Sequence, residues 1–204
     1  PLAFGSQTVG STIRPASYCG IVGYKPSFGL IAGAGMRPLA ETFDTVGILS
    51  RSVADAAYFV SILSRRPSLR LQGKLNASPR IGLCRTPEWP AADEDVAVAL
   101  ETAARLAADA GTQISEITLL APFEQVTKAQ GVIVDYEAAN SAAYDLAVHR
   151  DQVSKSFIER AEAGIACSPE QYDEALSIVA NAQRALDAVM GDVDVLLCPS
   201  APGE

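Results

Sequence analysis

Residues 5–20, GSQTVGSTIRPASYCG, gather small and hydroxyl side chains around one arginine, one proline and one cysteine. Gly and Ser bury little apolar surface, so this stretch contributes poorly to a core. It is either an ordinary turn whose hydroxyls satisfy nearby backbone groups, or a place where backbone comes close to a ligand. Cleaving an amide needs a nucleophile, a base to activate it and donors for the developing oxyanion. Gly10 and its small neighbours allow a bend that points several main-chain N–H groups at one spot, with Ser11 at its centre. From these residues alone both readings stand.

Other reactive residue types are scattered. His149 is the single histidine, at the end of a helical stretch in AVHRD, with no Ser or Cys neighbour, and is expected at a solvated helix end. Cys19, Cys84, Cys167 and Cys198 show no C-x-x-C spacing. They are expected to be buried reduced thiols rather than a disulfide framework or a zinc site. Trp89 sits in a loop, TPEWPAADED, where it would line a pocket or a partner surface. Asp44 and Thr45 are placed to buttress a neighbouring loop, and Tyr136, Tyr144 and Tyr172 read as packing residues on helical faces. The acidic run from Asp93 to Asp95 is most simply a helix start.

These groups must be held by a fold, and the bulk numbers bound it. The chain has 204 residues, 49% of them hydrophobic and 6% aromatic, with a formal net charge of −8. Its mean hydropathy is +0.16 and its pI about 4.7. That composition can bury a substantial core. Abundant Ala with few aromatics favours helices packed closely on something flat. No basic run supports binding to nucleic-acid phosphates. No apolar run reaches membrane-spanning length and no signal peptide is visible, so the expectation is a cytoplasmic protein without membrane contact. The chain opens on PLAFGSQ and ends on LLCPSAPGE, so both ends are expected to be cut from a longer protein.

Along the chain, PLAFGSQ reads as a strand running into the glycine-rich turn, and GIVGYK (20–25) as a buried strand stopped by Pro26. Residues 26–50 show no clean period and are expected to be a long ordered loop. SVADAAYFVSILS reads as a helix with Ser52 as N-cap and Asp55 three residues on. Val53, Ala56, Ala57, Val60 and Leu63 would form its apolar face. Residues 65–79 form a polar connection. Strand RIGLCR (80–85), helix ADEDVAVALETAARLAADAG stopping at Gly111 and strand TQISEITLL follow. A long helical pattern runs from Phe123 to His149, a second helix covers about 153–164, and a third starts at Ser168 and Pro169 and stops at Gly191. DVDVLLCP (192–199) closes as a strand. Strands alternating with helices imply an α/β fold around a mixed sheet.

The spacing around the turn is more informative than its composition. GSQTVGSTIRPASYCGIVGYKPSFG resembles the signature stretch of the amidase signature family of serine hydrolases, whose usual form is G-T-Q/D-T-G-G-S, a short gap to Arg, then P-A-x-x-C-G-x-x-G-x-K-P. The matching residues are Gly5, Gln7, Thr8, Gly10, Ser11, Arg14, Pro15, Ala16, Cys19, Gly20, Gly23, Lys25 and Pro26. FDTVGILSRSVADAA (43–57) is similar to that family's L-D-T-x-G-P-x-x-R-S-V-x-D-A-A. VDVLLCPSAP is similar to its D-x-L-L-x-P-T-x-P.

The resemblance implies a central mixed twisted sheet covered by helices on both faces. It implies that residues 1–204 are part of one such domain: 1–64 carry the nucleophile, 65–79 connect, 80–204 are helix-rich, and portions are missing at both ends. It implies a Ser–Ser–Lys triad in which a neutral lysine acts through a bridging serine to deprotonate the nucleophile. Ser11 takes the nucleophile's position. Thr8, Val9 and Gly10 take the positions of the oxyanion-hole backbone, together with Ser11 itself. The lysine and bridging serine would lie before residue 1, so residues 1–204 alone are expected to be inactive. Lys25, Lys74, Lys128 and Lys155 match no catalytic position, and Lys25 is expected in a structural ion pair.

Two positions stand out. Val9 replaces the first glycine of the family's pair, which would be costly if that position required φ > 0. Arg14 lies three positions after Ser11, a spacing like that of the stand-alone amidases; in the amidotransferase-like branch it is two. Arg14 is either half of a buried ion pair, with Asp44 as its partner, or a fork for a substrate carboxylate. The implied reaction is cleavage of a carboxamide C–N bond in a small-molecule substrate through an acyl-enzyme, with no metal and no organic cofactor. The alternatives are a glutaminase subunit of a tRNA-dependent amidotransferase and a non-catalytic amidase-like module. An unpaired sheet edge with exposed apolar area near residues 1–10 is expected to invite homodimerisation.

Overall fold

A computed structural model describes residues 1–73, 77–119 and 121–203. Lys74, in the expected connection, and Leu120, in the expected strand segment TQISEITLL, lie outside the described residues. The chain divides into two compact units, Pro1–Leu71 with Lys128–Ser177, and Gln72–Thr127 with Ile178–Glu204. The first change of unit falls inside the 65–79 connection. Both units are mixed α/β.

The first unit is built on a three-stranded antiparallel sheet of order β1-β3-β2: β1 (Leu2–Gln7), β2 (Val22–Tyr24) and β3 (Thr45–Ser50). The strand β3 lies inside the segment expected to be loop. Gly47 breaks the run of β-formers, and burial on both faces removes the alternation that marks a half-exposed strand. The segment GIVGYK is an edge strand and is not buried. A short helix, α1 (Ile13–Tyr18), rises within the stretch expected to be only a turn. Residues 4 and 48 oppose each other on one face of the sheet, 5 and 47 on the other. Phe4 packs against Phe59 of α2 (Val53–Leu63), with ring centroids 5.1 Å apart. Gly5 and Gly47 meet the residue that leads into α1. Helices therefore cover both faces of this sheet.

Ser52 caps α2, accepting from the Asp55 N–H at 3.1 Å. Within α2, Ala56 and Val60 are buried as expected, whereas Val53 is 61% exposed and Ser61 is buried in its place. The helical pattern of 123–149 resolves into α4 (Val126–Ser141) and α5 (Ala143–Val148), broken at buried Ala142. Helix α6 (Lys155–Ala166) crosses α4 so closely that a Cβ on Gly164 would overlap the Asp135 carbonyl oxygen. Helix α7 (Pro169–Val189) begins with a capping box: Ser168 N–H donates to Gln171 Oε1 at 2.8 Å, and Gln171 N–H to Ser168 Oγ at 3.3 Å.

The second unit holds a parallel sheet of order β5-β4-β6: β4 (Arg80–Cys84), β5 (Gln113–Ile117) and β6 (Val195–Leu197). Helix α3 (Glu94–Asp109) contributes Leu100 and Ala104 to a core with Leu83, and Trp89, Ile114 and Leu197 pack on it. Trp89, expected in a loop, opens a short 3-10 turn (Trp89–Ala91) and is half-buried against this core, with Arg85 over its ring. Gly111 takes φ +87, as a left-handed helix terminator. Arg80 and Asp194 clasp β4 to β6. Their side chains pair at 3.0 Å, the Arg80 N–H donates to the Asp194 carboxylate at 2.7 Å, and the Asp194 N–H donates to the Arg80 carbonyl at 2.8 Å. Of the four cysteines only Cys84 is buried; Cys19 and Cys198 are exposed and Cys167 intermediate, because their strand-end and helix-end positions leave one side open. Burial, reinforced by Cys198, pushes the Cys84 thiol above its ordinary pKa. Among the described residues no helix is long and apolar enough to cross a membrane.

Candidate active site

The candidate site is the turn between β1 and α1, residues 8–12. Ser11 is exposed; Thr8 and Gly10 are both half-buried; Val9 is 52% exposed. The turn is organised by Gln7, the last residue of β1 and itself buried. Its Oε1 accepts the N–H groups of Thr12 and Ile13, each at 3.0 Å, and its Nε2 donates to the Val9 carbonyl at 2.9 Å. One side chain thereby satisfies the first donors of α1 and pins the carbonyl two residues on from itself. The Arg14 N–H closes the bend onto the Gly10 carbonyl at 2.9 Å. Among the described residues, the N–H groups of Val9, Gly10 and Ser11 donate to no protein acceptor. Three consecutive uncommitted amides on an exposed turn can receive a polarised carbonyl oxygen.

A second brace comes from Asp44. Thr8 Oγ1 donates to Asp44 Oδ1 at 2.5 Å, and Asp44 Oδ2 accepts from the N–H groups of Leu39 and Ala40 at 2.6 and 3.1 Å. The buttress read from Asp44 is present. Its partner is the turn and its own loop rather than Arg14. Arg14 is exposed, and no ion pair to it is found among the described residues. Lys25 likewise makes no ion pair there; its Nζ donates to the Pro26 carbonyl at 2.9 Å. Val9 does not adopt positive φ; among non-glycine described residues only Arg65 does. The β-branched side chain at position 9 therefore carries no left-handed strain.

Sequence reasoning missed two features. The motif gives Gln7 only as a matching position, whereas Gln just before a Gly/Ser bend is a signal for a side chain that caps the following turn. The other is a recess of about 550 Å³ in the same unit, lined among others by Arg37, Leu39, Asp145, His149 and Phe157. Leu39 joins its wall to the Asp44 brace. His149 stands at the C-terminal end of α5 as expected, but half-buried on the recess wall rather than fully solvated, edge-on to Tyr144 at 5.8 Å. Arg37 pairs with Asp145 across the recess rim. Beside it, Glu137 gathers the Thr42 N–H at 2.9 Å, the Thr42 hydroxyl and the Tyr172 hydroxyl at 2.6 Å. Burial, with Glu137 as its acceptor, raises the Tyr172 pKa, so the phenol remains a donor.

Comparison with known proteins places this geometry in a wider context. A family model described as Amidase matches residues 1–204. The 2-amino-5-chloromuconic acid deaminase of Comamonas testosteroni is 29% identical over 216 residues, covering 98% of this chain and 44% of that protein. A subunit of the glutamyl-tRNA(Gln) amidotransferase of Endomicrobium trichonymphae is 50% identical over 64 residues, which are 31% of this chain and 13% of that protein. A solved structure described as that of an amidase superposes with a TM-score of 0.86 at 26% identity, covering 98% of this chain and 46% of that one. The chain spans about half the length of the relatives it matches end to end.

Proposed function

This chain belongs to the amidase family, and from that premise we propose that it carries the nucleophile and oxyanion-binding turn of an enzyme that hydrolyses the C–N bond of a small carboxamide. The observation that carries the proposal is the exposed Ser11 on a bend whose neighbouring amides have no acceptor among the described residues and which Gln7 and Asp44 brace from two sides. In this reading Ser11 Oγ attacks the amide carbon and gives up its proton to a base. The carbonyl oxygen, now carrying negative charge, is held by N–H groups of the segment Thr8, Val9, Gly10 and Ser11. The proton passes to the departing nitrogen, the C–N bond breaks, and an acyl-serine ester remains. Water then releases the acid and restores the hydroxyl. The base is a lysine acting through a bridging serine, both supplied from outside residues 1–204, so this portion by itself does not turn over.

Arg14, exposed and without an ion-pair partner among the described residues, offers its guanidinium fork to a carboxylate on the substrate. The reaction calls on no metal or organic cofactor. The compartment is proposed to be the cytoplasm, and the exposed apolar side chains Leu2 and Phe4 on edge strand β1 are where a second copy would pair. A second reading, a glutaminase subunit working with a tRNA-dependent partner, is favoured by the 50% identity to an amidotransferase over 64 residues. The Arg14 spacing speaks for the stand-alone enzyme.

The test is amide hydrolysis by the full-length protein, with paired substrates that do or do not carry a carboxylate. Ser11→Ala is expected to lower kcat by roughly 10³-fold or more. Turnover unchanged in that variant would remove Ser11 from the chemistry. A preference for neutral amides would remove Arg14 from substrate binding. Activity that appears only with glutamine and a second, copurifying polypeptide would favour the second reading.

A further inference from the structure

Thr12, the residue after Ser11, is fully buried, and its Oγ1 has no hydrogen-bond partner among the described residues. Buried hydroxyls are seldom left unpaired, because desolvating one without a partner costs free energy. The surroundings show what holds it there. Gly5 and Gly47 oppose each other across β1 and β3, and the Thr12 side chain fills the gap they leave. A Cβ on Gly5 would stand 3.1 Å from Thr12 Oγ1. A Cβ on Gly47 would overlap that oxygen and come within 2.8 Å of Cγ2 and 2.9 Å of Cβ. On the third strand, a Cβ on Gly23 would lie 2.9 Å from the Thr12 carbonyl oxygen and 2.7 Å from Ala16 Cβ. None of these three glycines has positive φ, so they are required for space and not for backbone conformation.

We propose that Thr12 is a positioning residue, a key seated in a slot between Gly5 and Gly47 that fixes how deeply the Ser11 turn sits on the sheet. This rests on the reading of Ser11 as nucleophile. The Gln7 amide orients the N–H groups of Thr12 and Ile13, but its hydrogen bonds tolerate sliding of a few tenths of an ångström. A β-branched side chain packed against two strands does not, since its χ1 is stiff and its neighbours are backbone. The slot thus sets the height of Ser11 Oγ and of the amides before it relative to β1 and β3. A hydroxyl in a place that offers it no partner is accepted because threonine's forked shape fills the slot.

The experiment uses the full-length protein and reads kcat, KM, the rate of Ser11 labelling by a fluorophosphonate and the unfolding midpoint. In the labelling step the serine oxygen bonds to phosphorus, fluoride leaves and the hydroxyl proton goes to solvent through the base. Gly47→Ala is expected to lower kcat and the labelling rate by about tenfold or more, with KM held within about twofold. Thr12→Ser, which removes only the methyl group, covers the case in which Gly47→Ala does not fold; it is expected to lower both rates by about threefold or more at a near-parental midpoint. Adding Thr12→Gly to Gly47→Ala empties the slot for the new methyl and is expected to restore part of the labelling rate. Parental kcat and labelling in folded Thr12→Ser and Gly47→Ala would overturn the proposal, as would a fall in midpoint alone, which would make Thr12 a packing residue. Full turnover in Ser11→Ala would instead overturn the nucleophile reading on which it stands.

Discussion

At the scale of single residues, Val9 shows how a departure from a family pattern is judged by its dihedral and not by its identity. At an exposed position, where space is not limiting, a glycine is indispensable only where φ is positive. Position 9 does not have positive φ, its carbonyl is held by Gln7 Nε2, and its side chain projects into solvent. Its N–H is as free to donate as that of glycine. Val9→Gly is therefore expected to give no gain in kcat and to lower stability by about 0.4–1 kcal/mol, because the unfolded chain gains conformations the folded turn does not use. Paired rate measurements and denaturant midpoints on the full-length protein check this. A rise of about tenfold in kcat would mean that the valine distorts the turn. The same reasoning makes Gln7 the organiser of the site. Its three hydrogen bonds do for the turn what a run of backbone pairing does for a strand.

At the scale of elements, the sequence was most legible where period and caps agree. Ser52 and Ser168 cap as their spacing predicts, Gly111 terminates α3, and strands β1, β4, β5 and β6 sit within the predicted segments. It was least legible at β3 and α1, and for one reason. Glycines that serve close packing, Gly5, Gly23 and Gly47, look in sequence like glycines that serve turns. The nucleophile could be named from its motif. The Gln7 brace is local and has a sequence signal, whereas the Asp44 brace is a contact whose geometry no local pattern encodes; Asp44 reaches Thr8 over 36 residues. Gly164 makes the same point on a helix, since nothing in KSFIERAEAGIA marks it as a close contact with α4. A Cβ there would overlap the Asp135 carbonyl oxygen and lie 3.0 Å from Ala139 Cβ. Backbone cannot step aside as a flexible side chain can. Gly164→Ala is expected to destabilise the protein by about 1–3 kcal/mol through overpacking. An unchanged denaturation midpoint would show that α4 and α6 leave room for the methyl group.

At the scale of the whole molecule, the chain is organised around two sheets rather than one run of sequence. Each unit takes residues from two separate stretches, so neither can complete its core until distant parts of the chain have met. Within each sheet the middle strand alone has both edges paired: β3 lies between β1 and β2, and β4 between β5 and β6. Ile48 in β3 is fully buried and Leu83 in β4 nearly so. Opening such a strand requires breaking two ladders and exposing the core, whereas an edge strand frays by losing one. Amide hydrogen exchange followed by mass spectrometry should therefore find two separated sets of slowest-exchanging amides, one over 45–50 and one over 80–84. Edge strands β1, β2, β5 and β6 should exchange faster within residues 1–204 studied alone. In the full-length protein, β1 should slow if additional strands pair with its free edge, while β3 should change little. Slow exchange confined to a single stretch of helix, with both middle strands unprotected, would contradict the two-sheet organisation and, with it, the rigid floor on which the Ser11 turn is set.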